Sequence, residues 1–411
     1  GNKVILLKII IVMSIDVKSI LSDNALNMRR SAIRDLLSVA VRPEIISFAG
    51  GFPNPDSFPV DDVKEIVQEI MEESPAVALQ YGTTEGYAPL KREILKRYNA
   101  EGMPGDMDNL IITTSSQQAI DLICRVFINP GDVVICGLPS YLGALQAFYS
   151  YRAEPIGVKD EEDPEVVIEK LIAEGRKPKF IYAIPDFQNP SGVTMGIKER
   201  QAILNLAKKY DIFILEDSPY KEIRFEGEHM PTMYSMDPER VILLGTFSKT
   251  FAPGFRLGWI LGRKDVIERV VVAKQSSDLC TPVFCQMIGA KYLEKNYFEK
   301  NIVHVKEMYK RKKELMIHAF EQFMPEGVTW TNPEGGLFLF LKMPEGYCSR
   351  ELFDLAIQEN VAFVTGESFF CDGSGQNTMR LNFSFASDEK IVEGVKRLAL
   401  AIRKMMDEKS K

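Results

Sequence analysis

The sequence predicts an α/β fold: a large domain carrying a mostly parallel, mixed sheet flanked by helices, with a smaller α+β domain after it. Three observations predict it. From about Asn109, short apolar runs rich in β-branched residues alternate with segments of helical period, as strands joined by helical crossovers do. Val241–Gly245 and Leu257–Leu261 read as buried strands, but the loop between them is short and holds Pro253 and Gly254. It leaves no room for a crossover helix, so the last strand is expected to run antiparallel. Beyond Gly262 the pattern changes to long helical segments and two late strand-like runs, GGLFLFL at Gly335–Leu341 and MRLNFSF at Met379–Phe385. The expected division is an N-terminal arm and helix over 1–60, a large domain over 61–295 and a small domain over 296–411.

Val4–Met13 reads VILLKIIIVM. It is too short to span a bilayer, and Lys8 interrupts it. No small-residue cleavage site follows, so a signal peptide is not expected and Met13 is the expected natural start. Met28–Ala40 carries Ile33, Leu36, Leu37 and Ala40 at helical spacing, with Arg30 and Arg34 together on the polar side. Ile46–Pro59 is too rich in Gly and Pro for helix or strand, and its Gly50-Gly51 pair permits close backbone approach to a ligand. Helices are expected over Asp61–Met71 and Pro89–Tyr98, separated by a loop holding Tyr81 and Glu85-Gly86-Tyr87.

The strands of the large sheet are expected at Leu110–Thr113, Val133–Cys136, Pro155–Val158, Phe180–Ile184, Ile212–Leu215, Val241–Gly245 and Leu257–Leu261. Later helices are expected over Val266–Ala273, Met287–Tyr292, Ile302–Phe323 and Ser387–Met406. No internal repeat, low-complexity tract or flexible linker interrupts this order.

Composition excludes several classes. A chain of 411 residues with net charge −7 is long enough for two domains and is not built for nucleic acid. None of the six cysteines forms a C-x-x-C pair, and several sit in apolar runs, as buried thiols in a reducing cytoplasm do. The three histidines show no ligand spacing, so neither a histidine metal site nor a histidine triad is expected.

The polar motifs fall at the carboxyl ends of the expected strands, where α/β sheets place ligands. Ser115-Ser116-Gln117-Gln118 follows the first strand and opens an amphipathic helix; Ser115 and Gln118 have capping-box spacing. Free N–H groups and the helix dipole there suit a phosphate. Tyr141 follows the second strand, Asn189-Pro190-Ser191-Gly192 the fourth and Asp217-x-x-Tyr220 the fifth. The loop bearing Thr246, Ser248, Lys249 and Arg256 follows the sixth. Neither a Walker lysine motif nor a G-x-G-x-x-G follows a strand.

This spaced set, N-P-S-G, D-x-x-Y, the S-K loop with an arginine seven residues after the lysine, and a late arginine, resembles the fold-type-I pyridoxal 5'-phosphate aminotransferases of class I/II. The likeness runs from about Met28 to the C-terminus and is greatest to the branch of aminoadipate, kynurenine and aromatic aminotransferases. The resemblance implies that Lys249 forms a Schiff base with the cofactor aldehyde and then moves the α-proton. It implies that Asp217 keeps the pyridine nitrogen protonated, that Tyr220 and Asn189 bond the ring oxygen, and that Tyr141 stacks on the ring. Arg256, Ser248, Thr246 and the Ser116-Gln117 helix start would hold the phosphate, joined by Tyr81 from a second subunit of a homodimer. Arg380 and the Gly51 backbone would grip the substrate α-carboxylate, with Arg34 reaching a second carboxylate. Ser115 departs mildly from the glycine frequent in relatives and is expected as the helix N-cap.

The implied activity is transfer of an amino group from an L-amino acid (2-aminoadipate, aromatic or aliphatic) to a 2-oxo acid such as 2-oxoglutarate, ping-pong through pyridoxamine phosphate. No metal, nucleic acid or membrane is expected to take part. A β-lyase or decarboxylase of the same fold shares the first steps. A ligand-sensing regulator of this family would need a DNA-binding module, and fewer than about sixty residues precede the first motifs, short for such a module plus linker.

Overall fold

Seven apolar segments between Leu110 and Leu261 form one sheet. They are β1 (Leu110–Thr114), β2 (Val133–Gly137), β3 (Glu154–Val158), β4 (Phe180–Ala183), β5 (Phe213–Asp217), β6 (Val241–Thr246) and β7 (Leu257–Leu261). The spatial order is β1-β7-β6-β5-β4-β2-β3. β7 runs antiparallel to both of its neighbours and every other pairing is parallel. The antiparallel strand is therefore the one the helix-free loop demanded. Because it runs backwards, its amino end, with Arg256 just before it, lies at the sheet edge that carries the carboxyl ends of the others.

The computed structural model describes residues 14–411, and the apolar Val4–Met13 stretch lies outside the described residues. The central strands are buried on both faces, because apolar helices cover them on each side. One core lies between the sheet and helices α1 (Ser115–Phe127) and α2 (Leu142–Ser150); the other packs the opposite face against α3 (Ile197–Tyr210) and α4 (Val283–Glu294).

A 27-residue helix, α5 (Tyr297–Phe323), leads to a second, four-stranded antiparallel sheet. Its strands are β8 (Thr329–Trp330), β9 (Phe338–Lys342), β10 (Val364–Thr365) and β11 (Thr378–Asn382), in the order β10-β11-β9-β8. The last helix, α6 (Asp388–Ser410), is capped by Ser387, whose hydroxyl accepts the Lys390 N–H. A short parallel pair joins Ile46–Ser47 to Val361–Ala362, so the N-terminal loop is stitched to the C-terminal part of the chain.

The expected helix over Met28–Ala40 is shorter in the structure, covering Ala32–Ala40. Ser31 accepts the Arg34 N–H on its hydroxyl at 3.3 Å and starts the helix there. Arg30 consequently precedes the helix and does not share a helical face with Arg34.

Candidate active site

β1 passes into α1 without a connecting loop. Thr114 occupies the cap position, and Ser115 is the first helical residue with φ +66°. The expected capping box does not form: the Thr114 side chain makes no capping bond, and the Gln118 carboxamide, four residues on, accepts the Thr114 N–H at 2.7 Å. Ser115 is not the N-cap because its hydroxyl is engaged elsewhere, accepting Nη2 of Arg256 at 2.6 Å. The left-handed backbone at this position favours glycine. Gly258 on the adjacent β7 completes the packing, since a Cβ there would come within 2.7 Å of the Ser115 carbonyl carbon.

The free amides at this helix start face a polar corner. The Ser116 hydroxyl is buried and has no hydrogen-bond partner among the described residues. Thr246, the last residue of β6, donates to the Leu257 carbonyl at 3.0 Å and accepts the Ser248 N–H at 3.0 Å. That fixes the turn presenting Ser248 and Lys249. The Gln117 side chain is turned aside: it donates to the Gly143 carbonyl at 2.9 Å and accepts the Tyr141 hydroxyl at 3.3 Å. Gln117 offers this corner its backbone, not its carboxamide.

Next to this corner lies a cleft of about 620 Å³, partly open to solvent, lined by Tyr141, Asn189, Asp217, Tyr220, Lys249 and Arg256 among others. Asp217 ends β5. Its Oδ2 accepts the Tyr182 hydroxyl at 2.6 Å, and its Oδ1 is buried with no partner among the described residues. Burial lifts the Asp217 pKa to about 6, and the Tyr182 bond opposes the rise. Burial also raises the Tyr141 phenol to about 12 and the Tyr220 phenol further, so both remain neutral donors at physiological pH.

Lys249 is half-buried and its Nζ donates to the Gly51 carbonyl at 2.7 Å. Burial, then the positive charges of Arg380 and Arg256, pull its pKa down to about 8. A lysine so placed exchanges its proton near neutrality.

Arg380 enters from the other sheet. It sits in β11, paired with Phe340 of β9 and Val364 of β10. Its Nη1 donates to Asn189 Oδ1 and its Nη2 to the Ala49 carbonyl, each at 2.9 Å, while Nε is buried without a partner among the described residues. The guanidinium lies 4.4 Å above the Phe338 ring, and burial lowers its pKa to about 10, which leaves it charged. A buried cation with part of its fork unsatisfied is suited to a planar anion.

Residues 44–398 match the model of the family described as aminotransferase class I and II. The chain belongs to the class I and II aminotransferases. It is 45% identical over 404 residues to an aromatic-amino-acid aminotransferase of Thermococcus litoralis, covering 96% of each chain. The kynurenine aminotransferase of Pyrococcus horikoshii, solved with PMP, superposes with a TM-score of 0.91 at 44% identity, covering 95% of this chain and 98% of that one. The α-aminoadipate aminotransferase of Thermus thermophilus, solved with N-(5'-phosphopyridoxyl)-L-leucine, gives 0.87 at 35% identity, covering 96% and 100%.

The pyridoxal phosphate that this aminotransferase family implies fits the donor set. The orphaned Ser116 hydroxyl and the Arg256 guanidinium suit a phosphate, the orphaned Asp217 oxygen suits a ring N–H, and Lys249 supplies an amine of lowered pKa. Among the described residues no group of His, Cys, Asp and Glu could hold a metal ion, and no helix is long and apolar enough to cross a membrane.

Two expected residues stand apart from the cleft of this aminotransferase. Tyr81 is 78% exposed, beside the exposed Leu79 and Val77. Arg34 is exposed on its helix and does not line the cleft. Two contributors were not foreseen. Tyr182 reads in sequence as one more apolar member of FIYA, although alternation along β4 puts it on the same sheet face as Asp217. Nothing in the sequence marks the Ala49 carbonyl.

Proposed function

We propose that the chain is a pyridoxal-phosphate-dependent aminotransferase that moves the amino group of an L-amino acid (2-aminoadipate, aromatic or aliphatic) to 2-oxoglutarate. One observation carries this reading: a lysine with a pKa near 8 shares a cleft with a buried carboxylate and the Arg256 guanidinium, and it feels the charge of the buried Arg380 as well. When bound, pyridoxal phosphate supplies an aldehyde and an electron-withdrawing ring. The activities named for the similar proteins, on aromatic amino acids, kynurenine and aminoadipate, support the range of donors.

Each residue has one task in this reading. The Lys249 amine attaches the cofactor and, once released, carries the proton at the substrate Cα. Asp217 faces the ring nitrogen, Tyr220 and Asn189 the ring oxygen, and Tyr141 the ring plane. Ser116, the Gln117 amide, Thr246, Ser248 and Arg256 hold the phosphate. Arg380 and Gly51 hold the α-carboxylate, and Arg34 swings in for a second carboxylate. Tyr81 belongs to the phosphate site of a second copy in a homodimer, a role that its exposure and apolar surroundings support. The division near residues 60 and 295 follows the change from the mixed sheet to the antiparallel one. A cytoplasmic setting accords with six free cysteines.

The test is purification with pyridoxal phosphate, borohydride reduction, and mass spectrometry of the labelled peptide, followed by assay of a donor panel with 2-oxoglutarate. The expected result is label on Lys249 and amino transfer to form glutamate. Label on Lys249 with loss of carbon dioxide or of a β-substituent would mean a decarboxylase or lyase. Failure to take up the cofactor would overturn the reading.

A further inference from the structure

The two oxygens of Asp217 meet different surroundings. Oδ2 accepts the Tyr182 hydroxyl at 2.6 Å, and Oδ1, buried, accepts nothing from the described residues. The register explains the contact. Tyr182 of β4 is paired with Leu215 of β5, and side chains two residues apart share a face. Asp217 is thus the diagonal neighbour of Tyr182, at a separation that a long aromatic side chain can bridge. The Tyr182 ring is 2% exposed and packs edge-on against Phe148 with ring centroids 5.7 Å apart. Burial and the nearby Asp217 charge hold its phenol well above the ordinary value, so it keeps its proton and acts as a donor.

We propose that Tyr182 is a positioning residue for the pyridine ring of the cofactor: its hydrogen bond to Oδ2 fixes the plane of the Asp217 carboxylate and leaves Oδ1 as the oxygen that meets the ring nitrogen. The proposal rests on the reading of the cleft as a pyridoxal phosphate site.

A carboxylate held by one oxygen cannot rotate to share both lone-pair sets with the ring, so the acceptor direction is set before the cofactor arrives. The bond also tunes the proton between Asp217 and the ring. Burial makes Asp217 a stronger base, and the Tyr182 bond counters this. The phenols of Tyr141 and Tyr220 also face Asp217, and the cations lining or entering the cleft are Lys249, Arg256 and Arg380. Of these groups, Tyr182 is the one hydrogen-bonded to the carboxylate. Without it, Asp217 would be the stronger base toward the ring nitrogen of a bound cofactor, and that ring would carry less positive charge. A less positive ring makes the lysine–cofactor nitrogen easier to protonate.

The test is Tyr182→Phe in the holoenzyme, read by the pH titration of the visible band of the bound cofactor and by steady-state kinetics. The expected result is a stoichiometric cofactor content, a titration midpoint about half a pH unit or more above wild type, and a kcat lower by about tenfold, with KM changed far less. Phe148→Leu, which loosens the packing of Tyr182 but keeps its hydroxyl, is expected to lower thermal stability without moving the midpoint. In an Asp217→Asn background, adding Tyr182→Phe is expected to leave the midpoint where Asp217→Asn put it. A wild-type midpoint and kcat in Tyr182→Phe overturn the proposal while leaving the cofactor reading intact. A midpoint that Phe148→Leu moves equally reduces Tyr182 to packing. A wild-type midpoint in Asp217→Asn itself removes the cofactor reading on which the proposal stands.

Discussion

Nζ of Lys249 and the carbonyl of Gly51, 198 residues apart in sequence, are joined by a hydrogen bond of 2.7 Å. The bond ties the Gly-Pro loop to the lysine, and because a carbonyl acceptor favours the protonated amine it does not account for a lowered pKa. The lysine's acidity is set instead by burial and by Arg380 and Arg256. Uptake of pyridoxal phosphate by the apoprotein requires the neutral amine. Its folded pKa, about 8, lies below the ordinary lysine value, so the second-order uptake rate is expected to rise with pH to a midpoint near 8. Stopped-flow absorbance across roughly pH 6–10 checks this. A rate still climbing steeply at the upper end would mean an ordinary lysine.

Asp217→Asn is expected to lose most activity and to stabilise the apoprotein. The folded-state pKa of Asp217, about 6, is above the ordinary aspartate value of 3.8. The folded state therefore holds more protons between those values, and stability falls as pH rises through that window. Above pH 6 the penalty is complete, on the order of 2–3 kcal/mol. Urea unfolding of the apo forms is expected to show a gap of that order at pH 8 that closes near pH 4. An unchanged gap at both pH values would place the effect outside this carboxylate.

Arg34→Ala separates two roles. If the arginine swings in to a second carboxylate, kcat/KM falls about tenfold or more, ~1.4 kcal/mol, for glutamate and 2-aminoadipate. It changes little for leucine and phenylalanine. Equal losses for both classes of donor would mean that Arg34 supports the helix alone.

Ser115→Gly and Ser115→Ala lose the same hydroxyl bond to Arg256 but differ in backbone freedom. At φ +66° alanine retains the left-handed strain and glycine does not, a difference of ~1 kcal/mol. Thermal unfolding is expected to rank Ser115→Gly above Ser115→Ala by about that amount, with both binding pyridoxal phosphate more weakly than wild type. Equal stabilities, or the reverse ranking, would mean that the left-handed backbone at this position stores no strain.

Tyr81→Phe is expected to weaken cofactor binding, and sedimentation of the wild type is expected to give a dimer at assay concentration. An active monomer would remove Tyr81 from the phosphate site.

Most of the large sheet was legible because its strands are continuous apolar runs and its chemistry sits at their ends. Lys249, Asp217, Asn189 and Tyr220 could be picked out for that reason alone, before any likeness to a family. The antiparallel β7 followed from the missing crossover. What could not be read was set by contacts distant in sequence. Ser115 looked like a cap until Arg256, 141 residues away, claimed its hydroxyl. Tyr182 looked like core because its single polar atom shows a purpose only once β4 lies beside β5. Ala49 acts through a backbone carbonyl, which every residue has and no side chain announces. The start of the helix at Ala32 turned on one local competitor, the Ser31 hydroxyl.

Arg380 comes from the four-stranded sheet, whereas Ser116, Tyr141, Asn189, Asp217, Tyr220, Lys249 and Arg256 are all carried by the edge of the seven-stranded one. The two halves of the site thus come from two sheets that share one hydrophobic core and are linked at the site by the Asn189–Arg380 hydrogen bond. A change in the seating of one sheet against the other moves Arg380 relative to Lys249 and Asp217 and leaves the residues on the edge of the larger sheet in place relative to one another. Substitutions along α5 or between the sheets can therefore shift one half of the site alone. A lineage carrying this architecture can alter that half while the other stays as it is.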